Sequence, residues 1–561
     1  MTLRRIGLAC ALVALLALFG CGRPEAYKPV NPAAPTTTRA AQPKPNLLVI
    51  EADDMRVDEL AWMPNTRKLL QKTGLTFKNS FAPYPLCCPS RSSFLTGKYT
   101  HNHHVYSHED PFGFRVFDDS DTIATTLQGA GYRTALVGKY LNGYGEQALK
   151  KTGKSSLYYV PPGWSDWYGA SDHEWSIWDD FTGGTYDYFN LVENINGKIA
   201  GFPGRYTTDV TAQQTRKLIS KYGKSPKPWF IWWTPIAPHH GTPIEGDDPG
   251  PVRRDDGRDT DFVTPARPDR VKGLFDAKIK HGLGVRATGQ TEADVSDKPR
   301  FLHVPPLNTA EKDALRTVSR QRAEALYVLD HQIGLTISSL SKQGLLDSTI
   351  IIFTSDNGYY LGEHRKRQGK TVLHEPSLRV PLIIAGASIP NGDRYDPVAT
   401  VDLAPTLASF AGTQMHEADG MALNDLITHG DRGWTRAMIT ESMLPDERYS
   451  KTHHALGKQP LNSRGIRLGQ WKLTRYSVRY EQELYDLASD PLELSSLHKS
   501  PAAAGTLAQL KALQKAYQDC KGADCLRPIP AKWQLTPAQV KKITDAQQEV
   551  TAKYYGQIRA K

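Results

Sequence analysis

Two thiols, a proline and an arginine open one short stretch, Leu86-Cys87-Cys88-Pro89-Ser90-Arg91-Ser92-Ser93-Phe94-Leu95-Thr96-Gly97. Proline is well tolerated in a first helical turn, because the N–H it lacks has no intrahelical partner there. Cys87 and Cys88 therefore stand at a helix N-terminus, where free N–H groups and the macrodipole favour an anion. Arg91 adds a planar, permanently charged fork to the same turn. A nucleophile, an anion cradle and a guanidinium thus fall together. A redox or packing cysteine pair is the other reading of a bare Cys-Cys-Pro.

Acidic and basic groups follow strand-like runs elsewhere. Asn46-Leu47-Leu48-Val49-Ile50 is continuously apolar, the pattern of a strand buried on both faces, and Glu51-Ala52-Asp53-Asp54 comes next. Carboxylates past the carboxyl end of such a strand sit where open α/β sheets bind ligands. Adjacent Asp53 and Asp54 repel unless a cation neutralises them, so a hard-metal site is one reading and an ordinary turn the other. Thr349-Ile350-Ile351-Ile352-Phe353-Thr354 is a second run and delivers Ser355-Asp356-Asn357-Gly358. Carboxylates with an amide oxygen suit Ca²⁺ or Mg²⁺ rather than zinc. A third run, Trp229 to Thr234, ends in Ala237-Pro238-His239-His240, and Thr134 to Val137 closes on Gly138-Lys139. His101, His103 and His104 follow the cysteine helix and read as supporting or substrate-contacting residues rather than a zinc cluster.

Taken whole, Cys87-Cys88-Pro89-Ser90-Arg91, continued to Thr96-Gly97, resembles the signature of the sulfatase family. The resemblance implies that Cys87, the cysteine with proline two residues on and arginine four on, is oxidised to Cα-formylglycine by a separate formylglycine-generating enzyme. Its hydrated aldehyde would then attack the sulfur of a sulfate ester. The resemblance also implies a metal, usually calcium, held by Asp53, Asp54, Asp356, Asn357 and the Cys87 side chain. It assigns sulfate binding to Lys139 and to Lys370 in Gly369-Lys370-Thr371-Val372-Leu373-His374-Glu375, with His239 in the sulfate pocket as proton donor to the leaving alcohol. Lys366 competes for the role of Lys370, and His364 is peripheral. Many of these enzymes carry a histidine two residues after the first lysine, where this chain has Leu141. The group that takes the last proton is therefore open, with His103 and His104 as candidates.

Lys139-Tyr140-Leu141-Asn142, the paired cysteines and Tyr99-Thr100-His101-Asn102-His103-His104-Val105 are similar to N-acetylglucosamine-6-sulfatases and the extracellular heparan 6-O-endosulfatases. Pro162-Gly163-Trp164, Tyr186-Asp187-Tyr188 and Tyr206 to Val210 fall in the order of that branch. The aromatic stretch from Trp164 to Phe189 reads either as a rim for stacking on sugar rings or as loop packing.

These groups need a scaffold, and 561 residues exceed one ordinary core. The resemblance implies an α/β fold: an alkaline-phosphatase-like large domain with a mostly parallel central sheet flanked by helices, then a smaller C-terminal domain with an antiparallel sheet and a helix. The expected division is 1–21, 22–44, 45–435, 436–530 and 531–561. Arg4 and Arg5 before the apolar run to Gly20 read as a signal peptide, and Leu18-Phe19-Gly20-Cys21 resembles a lipobox with Cys21 lipidated. Plain secretion is the alternative. Proline recurs through 22–44, the composition of a semi-extended tether. Cys520 and Cys525 can form a local disulfide outside the cytosol. Gly241 to Pro306 reads as a partly mobile insertion over the active-site face. Thr309 to Lys342 has the periodicity of a covering helix without chemistry, and the last residues form a basic amphipathic helix.

The expectation is an exported sulfuric ester hydrolase, anchored to the membrane by lipid or secreted, acting on a sulfated carbohydrate such as N-acetylglucosamine 6-sulfate or on an aryl sulfate. No nucleic-acid partner is expected. A net charge of +10 either steers anionic substrates or is a solvated surface. The rival readings are a phosphodiester or phosphonate monoester hydrolase on the same scaffold and a non-enzymatic lipoprotein that binds sulfated glycans.

Overall fold

The apolar runs lie side by side in the middle of one large sheet. In chain order its strands are β1 (Asn46–Ala52), β2 (Leu75–Phe81), β3 (Arg133–Lys139), β4 (Asp166–Ala170), β5 (Asn190–Ile195), β6 (Lys198–Pro203), β7 (Trp229–Thr234), then β10 (Thr349–Ser355), β11 (Leu382–Gly386) and β12 (Gly392–Ala399). Between β7 and β10 lies a two-stranded ribbon, β8 (Val252–Arg253) with β9 (Asp259–Thr260). The computed structural model describes residues 44–173, 181–443, 461–477 and 481–556. The signal peptide and lipobox expected at 1–21, Cys21 included, and the tether up to residue 43 lie outside the described residues.

The ten strands run in the order β12-β2-β11-β10-β1-β7-β3-β4-β5-β6. The four central strands, β10, β1, β7 and β3, are mutually parallel. Among the interior strands β11 is antiparallel to both neighbours, and the β5–β6 hairpin reverses direction at one edge. Every residue of β1, β7 and β10 is buried. Helices cover both faces, which is why these strands are apolar without alternation. Each fully buried Leu or Ile contributes roughly 1.5–3 kcal/mol.

Helix α1 (Cys87–Thr96) shows no amphipathic stripe and is buried along its whole length. Its serine and threonine hydroxyls are therefore satisfied internally. Ser92 Oγ donates to the Cys88 carbonyl at 2.8 Å and Thr96 Oγ1 to the Ser92 carbonyl at 2.8 Å. The helix stops at Gly97, whose φ of 67° closes the turn where a side chain would be strained.

A second, antiparallel sheet has the order β13 (Met438–Ser442), β14 (Ser463–Leu468), β15 (Trp471–Tyr476), β16 (Gln482–Asp486). The helix Ala504–Tyr517 packs on it through Leu507, Leu510 and Tyr517, and Cys520 and Cys525 are disulfide-bonded. The final helix, Pro537–Tyr555, returns to the large sheet: Asn79 of β2 donates to Thr544 Oγ1 at 2.9 Å.

A buried ion pair ties the second sheet to a short helix of the large domain. His101, in the short helix Thr100–His103, places Nδ1 2.7 Å from Glu441 of β13. Burial alone would lower this imidazole; Glu441 outweighs it and raises the value above 6.5. The stabilisation is thus full below the unfolded value and lost as pH rises through the folded one. Thermal melting between pH 6 and 9 should show a decline on the alkaline side that His101→Gln flattens; an unchanged profile in the variant would remove this pair as its source.

Candidate active site

The chemistry collects at the carboxyl ends of the four central strands. β1 ends in Asp53 and Asp54, β10 in Asp356 and Asn357, β3 in Lys139, and the turn after β7 carries His239. The N-terminus of α1 brings Cys87, and the loop before β11 brings Lys370. Ligand atoms of Asp53, Asp54, Cys87 and His239 all lie within 4.8 Å of one another, and all four residues are buried.

Cys87 Sγ is 3.5 Å from Asp53 Oδ1 and 3.9 Å from Asp54 Oδ1. Lys139 Nζ donates to Asp53 Oδ2 at 2.6 Å. Lys370 Nζ donates to Asp54 Oδ1 and stands 2.7 Å from Cys87 Sγ. Arg91 Nε donates to Asp356 Oδ2 at 2.9 Å, and its guanidinium also lies 3.4 Å from Asp53. Asp356 Oδ1 accepts the backbone N–H of Asp54 at 3.0 Å and of Asn357 at 2.8 Å. Asp356 thus organises the cluster as well as charging it. Its carboxylate retains lone pairs for a cation.

Electrostatics follow from this packing. Burial would raise Asp54, but Lys370 and His239 outweigh it and hold the carboxyl at about 2. Asp53 is likewise held well below the usual range, against burial, by Lys139, His239 and Arg91. Burial, with Asp53 adding to it, pushes the Cys87 thiol well above its ordinary value. Burial, reinforced by His240, holds His239 well below 6.5. His239 Nδ1–H donates to the His240 carbonyl at 2.7 Å, which leaves Nε2 facing Asp54 Oδ2 at 3.6 Å.

The donor set fits a hard cation. Asp54 Oδ2 and Asn357 Oδ1 are buried oxygens without a hydrogen-bond partner, and carboxylate and amide oxygens are the ligands such a cation takes. Asp54 also has a φ of 63°, strained for a residue with a side chain, as at sites where geometry is imposed.

Other expected residues are placed elsewhere. Both ring nitrogens of His103 are engaged, one 3.0 Å from Ser93 Oγ and one accepting the Val105 N–H at 3.1 Å, while His104 contacts Tyr106. Neither is brought into the cluster. Lys366 lies over the Tyr360 ring at 5.7 Å, so Lys370 is the lysine of that loop that touches Cys87. His364 pairs with Glu292 at 2.8 Å. Leu141 is buried in the apolar core.

The aromatic stretch is mostly core. Trp164 stacks on Phe230 and Trp232 inside the sheet, Trp167 is fully buried and Tyr188 packs on Tyr206. Residues 174–180 lie outside the described residues. Tyr186 and Tyr188 reach the site: the Tyr186 ring lies 5.0 Å from Lys139 Nζ and 4.9 Å from the His239 ring, and the Tyr188 hydroxyl donates to the His239 carbonyl at 2.7 Å. The insertion after His240 is packed rather than loose. Phe262, Val271, Phe275, Ile279 and Val285 join the main core, and buried Arg267 pairs with Glu245, Asp247, Asp248 and Glu324.

The helix Thr309–Lys342 does more than cover the sheet. Arg322 donates from Nε to Glu59 at 2.7 Å, and its terminal nitrogens reach the carbonyls of Asp54 at 2.6 Å and Pro238 at 3.4 Å. One guanidinium thereby positions the backbone of both the acidic pair and the His239 turn. The available signal was a cation standing on the apolar stripe of Val318, Ala325, Leu326 and Leu329.

Comparison with known proteins gives the family and the fold. A family model described as Sulfatase matches residues 45–413, and one described as N-sulphoglucosamine sulphohydrolase, C-terminal, matches residues 362–519. An arylsulfatase of Volvox carteri is 30% identical over 530 residues, covering 88% of this chain and 78% of its own. An N-acetylglucosamine-6-sulfatase of Capra hircus is 26% identical over 532 residues, covering 86% and 85%. A solved structure described as a complex with its substrate D-glucosamine-2-N,6-O-disulfate superposes with a TM-score of 0.62 at 22% identity, covering 85% of this chain and 98% of that one, a likeness of fold.

Proposed function

Because the chain belongs to the sulfatase family and is a sulfate-ester hydrolase, we propose that it acts through a formylglycine made from Cys87 and takes 6-O-sulfated N-acetylglucosamine or a related sulfated sugar. The observation that supports this is the meeting of two lysines, a histidine and the Cys87 side chain over a buried acidic pair.

An unmodified thiol is a poor nucleophile in this setting, since burial keeps Cys87 protonated at neutral pH. Oxidation to the aldehyde hydrate would supply an oxygen nucleophile at the same point. A hard divalent cation, Ca²⁺ or Mg²⁺, held by Asp53, Asp54, Asp356, Asn357 and residue 87 would supply charge stabilisation to the transferring group. The chain's own side chains bind and orient the ester. Neighbouring carboxylates, against the effect of burial, hold Lys139 and Lys370 above the usual lysine value. Both ammonium groups are therefore available to sulfate oxygens. Burial and His240 favour the neutral His239 ring, and its Nε2 faces the site. A bound sulfate anion opposes the burial effect and favours the protonated ring, from which Nε2 can protonate the leaving alcohol. Arg91 and Arg322 keep the carboxylates and backbone in place, so little reorganisation is left for the reaction.

The substrate reading rests on the named relatives and on Lys139-Tyr140-Leu141-Asn142. Tyr186, beside Lys139 and His239, is the aromatic face offered to a sugar. Export and lipid anchoring through Cys21 complete the proposal; among the described residues no helix is long and apolar enough to cross a membrane. Assays on glucosamine 6-sulfate, galactosamine 6-sulfate and an aryl sulfate test the class. The glucosamine ester should have the highest kcat/KM, by roughly tenfold or more. Equal or better turnover of either other ester would remove the narrower claim.

A further inference from the structure

We propose that Glu483 of the antiparallel sheet is a positioning residue for Lys370, acting through His374 and Tyr360. The inference rests on the reading of Lys370 as a sulfate contact, and it makes the second sheet part of the catalytic apparatus.

Lys370 rides on a loop in a demanding conformation. Arg365 and Thr371 have φ of 56° and 79°, and Gly369 between them has 111°. A β-branched residue in the left-handed region is strained by about 1–3 kcal/mol and persists only where its surroundings fix it. Two backbone bonds do part of this. Tyr360 N–H donates to the Gly369 carbonyl at 2.7 Å, and Thr371 N–H to the carbonyl of Pro85, two residues before Cys87, at 3.1 Å.

The rest comes from the other sheet. The Tyr360 hydroxyl is 2.8 Å from His374 Nδ1, and His374 Nε2 is 2.9 Å from Glu483 Oε1. Glu483, on β16, also accepts the hydroxyls of Tyr476 at 2.6 Å and Tyr485 at 2.5 Å. All five residues are buried. A carboxylate only accepts, so His374 carries a proton on Nε2; in the neutral ring Nδ1 then accepts from Tyr360, whose hydroxyl also lies 3.4 Å from the Val372 carbonyl. The chain of bonds has one direction: Tyr360 to His374 to Glu483. Without the carboxylate the imidazole tautomer is no longer set, Tyr360 loses a fixed acceptor, and the Gly369 carbonyl loses its rigid anchor. The charge borne at the end of this loop is the Lys370 ammonium, already 2.7 Å from Cys87 Sγ.

The test uses the full-length enzyme and two readouts, turnover of a nitrophenyl sulfate and calorimetric binding of inorganic sulfate. Tyr360→Phe removes one hydroxyl and keeps the ring; Glu483→Gln keeps the shape of the carboxylate. Each should weaken sulfate binding and lower kcat/KM by about 10–100-fold, with metal content unchanged and the protein still folded at the assay temperature; Glu483→Gln should melt somewhat lower, because three buried donors lose a charged acceptor. In a Lys370→Ala background neither should weaken sulfate binding further. Parental sulfate binding in both single variants would overturn the positioning role, as would losses that simply add to that of Lys370→Ala. Lys370→Ala with parental sulfate binding would instead overturn the reading of Lys370 itself.

Discussion

Cys87→Ala should abolish turnover, with a loss on the order of 10⁴-fold or more, while the protein folds normally. The fold survives because Lys370, which contacts the thiol, keeps Asp54 as its partner. Cys87→Ser separates two explanations for the loss. Serine supplies an oxygen at the same position, but a serine sulfate has no second hydroxyl to expel the sulfate. A single turnover followed by arrest is expected, seen as a burst of one equivalent of alcohol. Cys88→Ala should remain active, because the Cys88 thiol points away and donates to the Asn142 carbonyl at 3.8 Å. Mass spectrometry of the Cys87 peptide from the native host should show the aldehyde, trapped by a hydrazine. A fully unmodified thiol in active enzyme would sink the formylglycine mechanism.

Asp54→Asn should be comparably severe, on the order of 10³-fold in kcat, and should release the bound cation. Asparagine tolerates the left-handed backbone that Asp54 adopts at φ 63°, so the substitution removes charge without adding strain. It leaves Lys370 without its carboxylate partner, so some loss of stability is also expected. Chelation of the parent enzyme should abolish activity, and Ca²⁺ or Mg²⁺ should restore it. Metal analysis that finds stoichiometric zinc would overturn the oxygen-ligand reading, and the nearby His239 and Cys87 make this a real alternative to exclude. Asp356→Ala is a poorer probe than a ligand-only role suggests. It takes from the buried Arg91 guanidinium its nearest carboxylate, leaving Asp53 at 3.4 Å, and unties the Asp54 and Asn357 N–H groups, at about 3–5 kcal/mol.

Sequence alone determined the strands at the centre of the molecule and the residues at their ends. A strand covered on both faces has to be continuously apolar, so Leu47–Ile50, Phe230–Trp233 and Ile350–Phe353 are visible without a structure. The polar residue that follows each run is then placed at the edge where ligands bind. Local spacing also put Cys87 and Arg91 in one helical turn. What the sequence left open was which partner each group meets. Asp54 and Asp356 are 302 residues apart, yet one organises the backbone of the other. Periodicity records that a side chain is buried but not against what. Trp164 could therefore be read as sugar rim or as core until its stacking on Trp232 was seen. For the same reason Arg322 looked like part of a covering helix, and Lys366 stood as a competitor to Lys370. The fold separates them by where each charge finds an opposite charge inside a medium that tolerates none unpaired. Lys370 meets Asp54, Arg322 meets Glu59, and the Glu483 carboxylate of a second sheet meets His374 beside the loop that carries Lys370.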